Sequence, residues 1–486
     1  MASLLRDPRA PGLVLMVLLT LRYLGLYLAD PALPGNDLAH PQGWWGWWDQ
    51  SHYLGSARAL AAGDLSPDRH WYPLGYALLG APFALAWPAH PFFLVDLAAL
   101  LLMGFAFLRF ARGVGVGGWV AAALFLGSVA ADRVLFRQWA IPWNTSPTAA
   151  VLWVLLWQAG EHMAGRRRGL VLGALVAAIG VLRPTDLLPA AIILGGVGLH
   201  EAWHRGLGAW GTVWRAALGG AVVAGAAFAL HLAIYGFAPS PYMAMSSKLG
   251  FSFHAYGWKA FNLLVAPEPW WGTGEGLLAR HPWIGLAFIL LPFAVMRAPV
   301  LAVLAGAALV HLGLYIAYVD LLPTGLWLFH NVHYFKWMGP AFALLAWIGV
   351  VQAAGSRRGW AVPGAASAAI LLVLCLRVMP APAPVQAQGE ARWRGLTLPG
   401  PTPNFEQSYF RTEAVLRDGV GEMRNIVDMR LYPIPQGTRL LALRRDIVPP
   451  VEALPEGARP VASRVVLGWP CWLPRRPSAC RRLGGL

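Results

Sequence analysis

With 57% hydrophobic and only 13% charged residues in 486, the chain carries far less charge than a soluble globular protein, for which about 25% is usual. That excludes a soluble class and makes the bilayer the solvent. The formal net charge of +15 gives no support to a nucleic-acid partner, because many arginines sit in short clusters between apolar runs, where they act as topology signals.

The first apolar run, Pro11 to Leu28, follows Arg6 and Arg9, which places the N-terminus in the cytoplasm. No small-residue cleavage site follows, so the run reads as an anchor rather than a signal peptide. Further runs near 92–110, 117–131, 146–163, 169–182, 186–203, 212–236, 282–296, 299–318, 332–353 and 360–379 bring the expectation to eleven spans. Each approaches the roughly 20 residues that cross a hydrocarbon core. Residues 73–87 are short and hold Pro73 and Pro82, with Pro88 just beyond, so they read as a juxtamembrane or re-entrant piece. The clusters Arg109 with Arg112, Arg166 to Arg168, His204 with Arg205, Arg297, and Arg357 with Arg358 then all fall in cytoplasmic turns. Parity puts the C-terminus outside, and the long external segments are 30–91, 132–145, 237–281, 319–331 and 380–486.

The expected fold is an all-α polytopic membrane bundle over 1–380, followed by a small external soluble domain over 381–486, α/β or β-rich. That domain opens with the proline-rich stretch Pro380 to Pro384 and holds β-like runs at Arg439 to Leu443 and Val461 to Leu467. Cys471 and Cys480 fall in it, whereas Cys375 falls in the last span. An oxidising compartment would pair the first two; two free thiols are the alternative.

The loop 30–91 is the richest in chemistry. Its stretch WWDQSHYLGSARALAAGD, residues 47–64, sets Asp49, Tyr53, Ala57 and Leu60 on one helical face, with Gly63 placed to end the helix. Trp44, Trp45, Trp47 and Trp48 suit an interfacial belt. Asp49 therefore has two readings: a helix cap worth about 1 kcal/mol, or an acid held at the membrane surface for chemistry. Further on, GVGVGG at Gly113 to Gly118 matches a dinucleotide fingerprint, but it joins two spans rather than a strand to a helix and reads as a turn.

The order Asp49, Tyr53, Ala57, Leu60, Gly63, Asp64 and then Tyr72-Pro73-Leu74-Gly75-Tyr76 resembles the first external loop of GT-C membrane glycosyltransferases. The bacterial protein O-mannosyltransferases and lipid A aminoarabinose transferases are the members it is similar to. Leu182-Arg183-Pro184-Thr185 also resembles a recurrent element of that superfamily. The resemblance covers the membrane part and leaves the C-terminal domain without a match. It implies an enzyme of the bacterial inner membrane, working on the periplasmic side. Such an enzyme moves a sugar from a polyprenyl-phosphate donor to a hydroxyl of a protein, lipid or glycan acceptor, with Asp49 as the catalytic carboxylate. Tyr53 and Asp64 would then face substrate. Many relatives carry a second acid after the first, where this chain has Gln50.

Such a transfer needs a base for the acceptor hydroxyl and cations for the departing phosphate. Arg183 at a span terminus is one candidate. His330, His333 and Lys336 in FHNVHYFKW are three apart and would share one helical face. Lys248 and Lys259 in the loop 237–281 are further candidates, and Arg133 and Arg137 in DRVLFRQWAIPWN would contact donor or acceptor. An interfacial polar belt with snorkelling lysines is the alternative for the histidine–lysine stripe. The two histidines have no acid pair beside them, so no metal or other cofactor is expected. Asp186 and Asp320 are boundary acids for which chemistry and capping stay equally open. The competing classes are a lipid-linked glycan flippase and a non-catalytic subunit of an envelope assembly machine.

Overall fold

The computed structural model describes residues 7–251, 256–267, 275–318, 321–322, 325–328 and 330–355, together with strand backbone between 385 and 462. In chain order the helices are α1 (Ala10–Leu28), α2 (Trp48–Ala61), α3 (Leu74–Ala86), α4 (Phe93–Gly113), α5 (Gly118–Phe125), α6 (Arg133–Ala140), α7 (Thr145–Met163), α8 (Gly169–Leu182), α9 (Leu187–Arg205) and α10 (Trp210–Tyr235). They continue as α11 (Pro241–Leu249), α12 (Tyr256–Leu264), α13 (Leu277–Arg280), α14 (Pro282–Val295), α15 (Pro299–Ala317), α16 (Gly325–Leu328) and α17 (Met338–Gly355). The chain divides into two units, one of Met1–Met243, Trp283–Leu312 and Val332–Pro363, the other of Ala244–Pro282, Gly313–Asn331 and Gly364–Leu486.

Among the described residues five helical stretches are long and apolar enough to cross a membrane: Ala10–Leu28, Phe93–Gly113, Pro184–Tyr235, Pro299–Ala317 and Met338–Gly355. A sixth arises if Gly118–Ala130 and Arg133–Ala140, bent by 84°, are one broken span. The other runs of the eleven expected do not pass as separate spans of that length and apolarity among the described residues, and the reasons are local. The runs at 169–182 and 282–296 are helices of only 14 residues. Those at 186–203 and 212–236 merge into one 52-residue stretch interrupted at Gly206, whose φ is 54°. The run at 360–379 lies outside the described residues, as do Asp320 and the three cysteines.

The helix surfaces show what solvent they suit. On α1, Leu15, Leu19, Tyr23 and Tyr27 recur every four residues and are buried, as one face of an α-helix should be. Leu13, Val17 and Leu21 on the remaining faces are more than half exposed, an outward apolar surface that water would penalise and lipid would not. Inside the bundle α4 meets α7 through aromatic edges: the rings of Phe107 and Phe110 lie 4.9 and 5.7 Å from that of Trp153.

The closest helix contact is between α8 and α10. A Cβ at Gly173 would come within 1.7 Å of the Ala216 carbonyl oxygen, and one at Gly219 within 2.0 Å of that of Leu170. Glycine is required there because the two backbones touch. The GVGVGG segment is a turn between α4 and α5, with Gly115 at φ 84°. It joins two helices, and so lacks the strand that a dinucleotide site needs.

In the second unit, short strands between Val385 and Ala462 pair into a five-stranded and a three-stranded sheet. Arg439–Ala442 and Arg459–Ala462 pair in parallel in the smaller one.

Because no small shift relieves a backbone clash, Gly173→Val should cost at least the usual 1–3 kcal/mol of overpacking, roughly, and often the fold itself. Thermal unfolding of purified protein in detergent would show it; an unchanged midpoint would contradict the α8–α10 contact.

Candidate functional site

The first-loop helix α2 is built much as its sequence suggests. Gly63, at φ 71°, follows its end. The N–H of Gly63 donates to Leu60 O at 3.1 Å and that of Asp64 to Ala59 O at 2.8 Å, the paired bonds of a Schellman stop. At the other end the capping position belongs to Trp47, so Asp49 lies in the first turn and not at the cap. Its carboxylate accepts a hydrogen bond from the Tyr72 hydroxyl. Burial, and next the Asp49 charge, push the Tyr72 phenol far up, so Tyr72 stays a donor. The Tyr72 ring packs 4.6 Å from that of Tyr53, which lies 5.2 Å from that of Tyr76.

One feature of this loop departs from the reading of the sequence, and another was not read from it. Trp44 is a core residue, 1% exposed and 5.3 Å from the Tyr27 ring, rather than part of an interfacial belt. Gln50 is buried, and its amide donates to Pro142 O at 3.3 Å. An acid at that position would set a carboxylate against a carbonyl oxygen, which gives a local reason for glutamine there. Beside Asp49 the rings of Trp48, His52 and Trp71 form a partly exposed aromatic edge, with His52 stacked 5.4 Å from Trp71. Burial lowers the His52 pKa.

Three consecutive residues at the start of α7 collect three of the expected cations. Asn144 Oδ1 accepts from Arg183 Nη1 at 2.9 Å, and its amide donates to Leu182 O at 3.1 Å. Thr145 Oγ1 lies 3.2 Å from His333 Nδ1, and Ser146 Oγ accepts from Lys336 Nζ at 2.7 Å. Nothing in the sequence marked Asn144, Thr145 or Ser146. The only clue was that Asn144 and Thr145 close the external stretch that already held Arg133 and Arg137, with Ser146 opening the span that follows.

Each cation has further company. Arg183 sits over the Tyr334 ring at 4.8 Å and 3.7 Å from Asp186. His311 lies 3.8 Å from the same carboxylate; its Nε2 donates to Tyr334 O at 3.0 Å and its Nδ1 accepts from Trp337. His333 stacks on Trp143, ring centroids 3.8 Å apart. Lys336 lies over the Trp139 ring at 5.1 Å, and the charge of Asp96 acts on it. Asp96 accepts from Tyr76 at 2.8 Å and from Ser146. The tyrosines thus link the Asp49 side of the loop to the buried Asp96–Ser146–Lys336 chain.

The remaining expected residues fall elsewhere. Arg137 is taken up by buried Asp30, in two bonds of 2.6 and 2.8 Å that tie α6 to the end of α1. Arg133 is exposed on α6, whose N-terminus is capped by Asp132. Asp64 works within its own loop: its carboxylate accepts from Ser66, which holds its pKa low, and it pairs with Arg69 at 3.7 Å. Lys259 is buried and donates to Tyr318 O at 2.5 Å, and Lys248 lies on α11. His330, at φ 61°, stands outside the short 3₁₀ turn Asn331–Phe335 that carries His333, with Lys336 just after it. The expected single α-helical face for the three is therefore not formed. Among the described residues no group of three or more His, Cys, Asp or Glu is placed to hold a metal ion.

No protein-family model matches the chain, and neither a curated protein nor a solved structure does.

Lys336→Gln removes the positive end of the buried chain and leaves the Asp96 carboxyl in the core without the charge that acts on it, which should cost up to about 3–5 kcal/mol. Adding Asp96→Asn should recover most of that loss. Unfolding midpoints of the two single variants and the double would measure the coupling; strict additivity would mean that the two groups do not interact.

Proposed function

We propose that the chain is a membrane glycosyltransferase of GT-C type, moving a sugar from a polyprenyl-phosphate carrier to an acceptor hydroxyl by single displacement. The observation that carries the reading is the setting of Asp49. It is an acid in the first turn of the first-loop helix, bonded to Tyr72 and beside an aromatic edge. The likeness of that loop to the GT-C loop adds to it.

In this reading Asp49 accepts the proton of the acceptor hydroxyl as the new glycosidic bond forms. Tyr72, which stays protonated, orients the carboxylate. The bond between the anomeric carbon and the carrier phosphate breaks, with its electron pair leaving on phosphate oxygen. Inversion follows because one displacement occurs and no enzyme nucleophile intervenes. Arg183 and Lys336 supply positive charge near the leaving group, where charge-assisted bonds are roughly twice as strong as neutral ones. Trp48 and Trp71 offer ring faces against which the C–H face of a sugar packs. No metal enters the scheme. The bundle spans the inner membrane eleven times, with the N-terminus inside and the loop 30–91 and C-terminal domain outside, which keeps the arginine clusters in the cytoplasm.

One observation favours a second reading. The break between Gly118–Ala130 and Arg133–Ala140 is the kind of discontinuous helix on which membrane transporters build their sites. Turnover in detergent separates the two, since a flippase has no second side there.

Asp49→Asn keeps the shape of the side chain, so the unfolding midpoint should hold while turnover on a polyprenyl-phosphate sugar falls by about 10²–10⁴-fold. Parent-like turnover in the folded variant would remove Asp49 from the role of base. For topology, a phosphatase fused after residue 486 should be active only when exported; activity confined to a cytoplasmic reporter would reverse the assignment.

A further inference from the structure

A groove at the far end of α4 from Asp96 belongs to none of the chemistry above. Sixteen residues along that helix, at 1.5 Å each, put roughly 24 Å between Asp96 and Arg112. There α1, α4 and α5 come together: a Cβ at Gly118 would lie 3.0 Å from Pro11, and one at Gly12 3.7 Å from Leu108. Between these helices lies a groove of about 280 Å³, walled by residues such as Met16, Phe105 and Leu108, with Arg9, Arg109 and Arg112 also lining it. Phe105 and Leu13 on its wall are exposed, so it opens sideways from the bundle, where lipid would lie. No acidic side chain is among its described lining residues.

We infer that this groove is a binding site for an anionic phospholipid, with its phosphate on Arg9, Arg109 and Arg112 and an acyl chain against the apolar wall. The occupant follows from charge and shape together. Three guanidiniums without a lining carboxylate attract a negative headgroup, and guanidinium matches phosphate oxygens in paired bonds. A zwitterionic lipid brings a cation that the same three groups repel. A water-soluble phosphate would leave the apolar wall unused. Two of the arginines are already held: Arg112 Nη2 donates to Pro8 O at 3.0 Å, and Arg109 lies 5.4 Å from the Trp157 ring. Less side-chain entropy is therefore lost when the headgroup arrives. The topology rule explains why arginines lie at this end of the bundle, but it does not account for a groove between them. Basic pockets between membrane helices commonly take such headgroups.

The test is native mass spectrometry of the full-length protein in detergent, titrated with phosphatidylglycerol or with phosphatidylcholine of the same chains. The parent should retain one phosphatidylglycerol in preference to phosphatidylcholine. Arg109→Ala and Arg112→Ala should each weaken that retention by about fivefold, the effect of roughly one surface charge. Arg166→Ala with Arg167→Ala, which removes two arginines that do not line the groove, should leave it unchanged. Gly12→Leu keeps every arginine and fills the groove, and should also release the lipid. Equal losses in the Arg166/Arg167 control, or full retention in Gly12→Leu, would reduce the effect to a diffuse basic belt and overturn the site. Each variant is first checked for the parent's unfolding midpoint; should Arg109→Ala fail that check, Arg9→Ala, outside any helix, replaces it with the same expected loss.

Discussion

The arrangement around the start of α7 depends on one constraint: charges removed from water must be paired, or the fold does not form. Asp96, Arg183, Asp186 and Lys336 are all nearly fully buried. Asn144, Thr145 and Ser146 answer that demand by meeting Arg183, His333 and Lys336 in turn. Three successive residues at a helix start point in different directions, so one short segment can reach three neighbouring elements. The start of α4, the end of α8 and the approach to α17 are thereby fixed to α7 by polar contacts rather than by packing alone. Polar contacts of this kind specify geometry, since a shifted helix would strand a charge.

That rigidity bears on what the site can do. A buried, paired lysine or arginine is poorly placed to move far toward a ligand, but its field is already oriented, and preorganised charge needs no reorganisation when negative charge develops nearby. Asp49 has the opposite character. It is only partly buried, bonded to Tyr72, and beside the exposed ring of Trp48. Fixed, buried cations and a more accessible carboxylate thus lie in one network, joined through the rings of Tyr72, Tyr53 and Tyr76.

The sequence made the local stops and faces legible because they follow from neighbouring residues. The face of Tyr53 and Ala57, the stop at Gly63 and the turn at GVGVGG all hold. Long-range partnerships were not legible. Asp49 with Tyr72, Gln50 with Pro142, Arg137 with Asp30 and Ser146 with Lys336 each join segments that periodicity cannot relate. The tryptophan run shows the same limit: composition says that Trp44 suits an interface, and only the neighbouring Tyr27 ring makes it core. The histidine–lysine stripe fails for a backbone reason, since spacing by three implies a shared face only if the segment is α-helical, and His330 leaves that conformation. Counting spans from hydropathy runs short for helices such as α8 and α14, whose 14 residues would rise only about 21 Å. Helices of that length fall short of a hydrocarbon core of about 30 Å even untilted, and span it only where the bilayer thins or flanking residues snorkel.

The cations of this chain are best understood by what each one faces. Some are structural and internal, as Arg137 is with Asp30. Others are buried among polar partners and aromatic rings, as Arg183 and Lys336 are beside Tyr334 and Trp139. A third set, including Arg9, Arg112 and Arg166, is exposed at helix ends. The net charge of +15 adds these together and so hides the distinction. For a membrane protein it matters, because only the exposed set interacts with lipid headgroups through screened, salt-sensitive forces. The buried set is shielded from salt and is coupled instead to the fold. Raising ionic strength would therefore loosen the lipid contacts at the arginine-rich end while leaving the polar network at the foot of α7 intact, so the two ends of the bundle answer to different conditions.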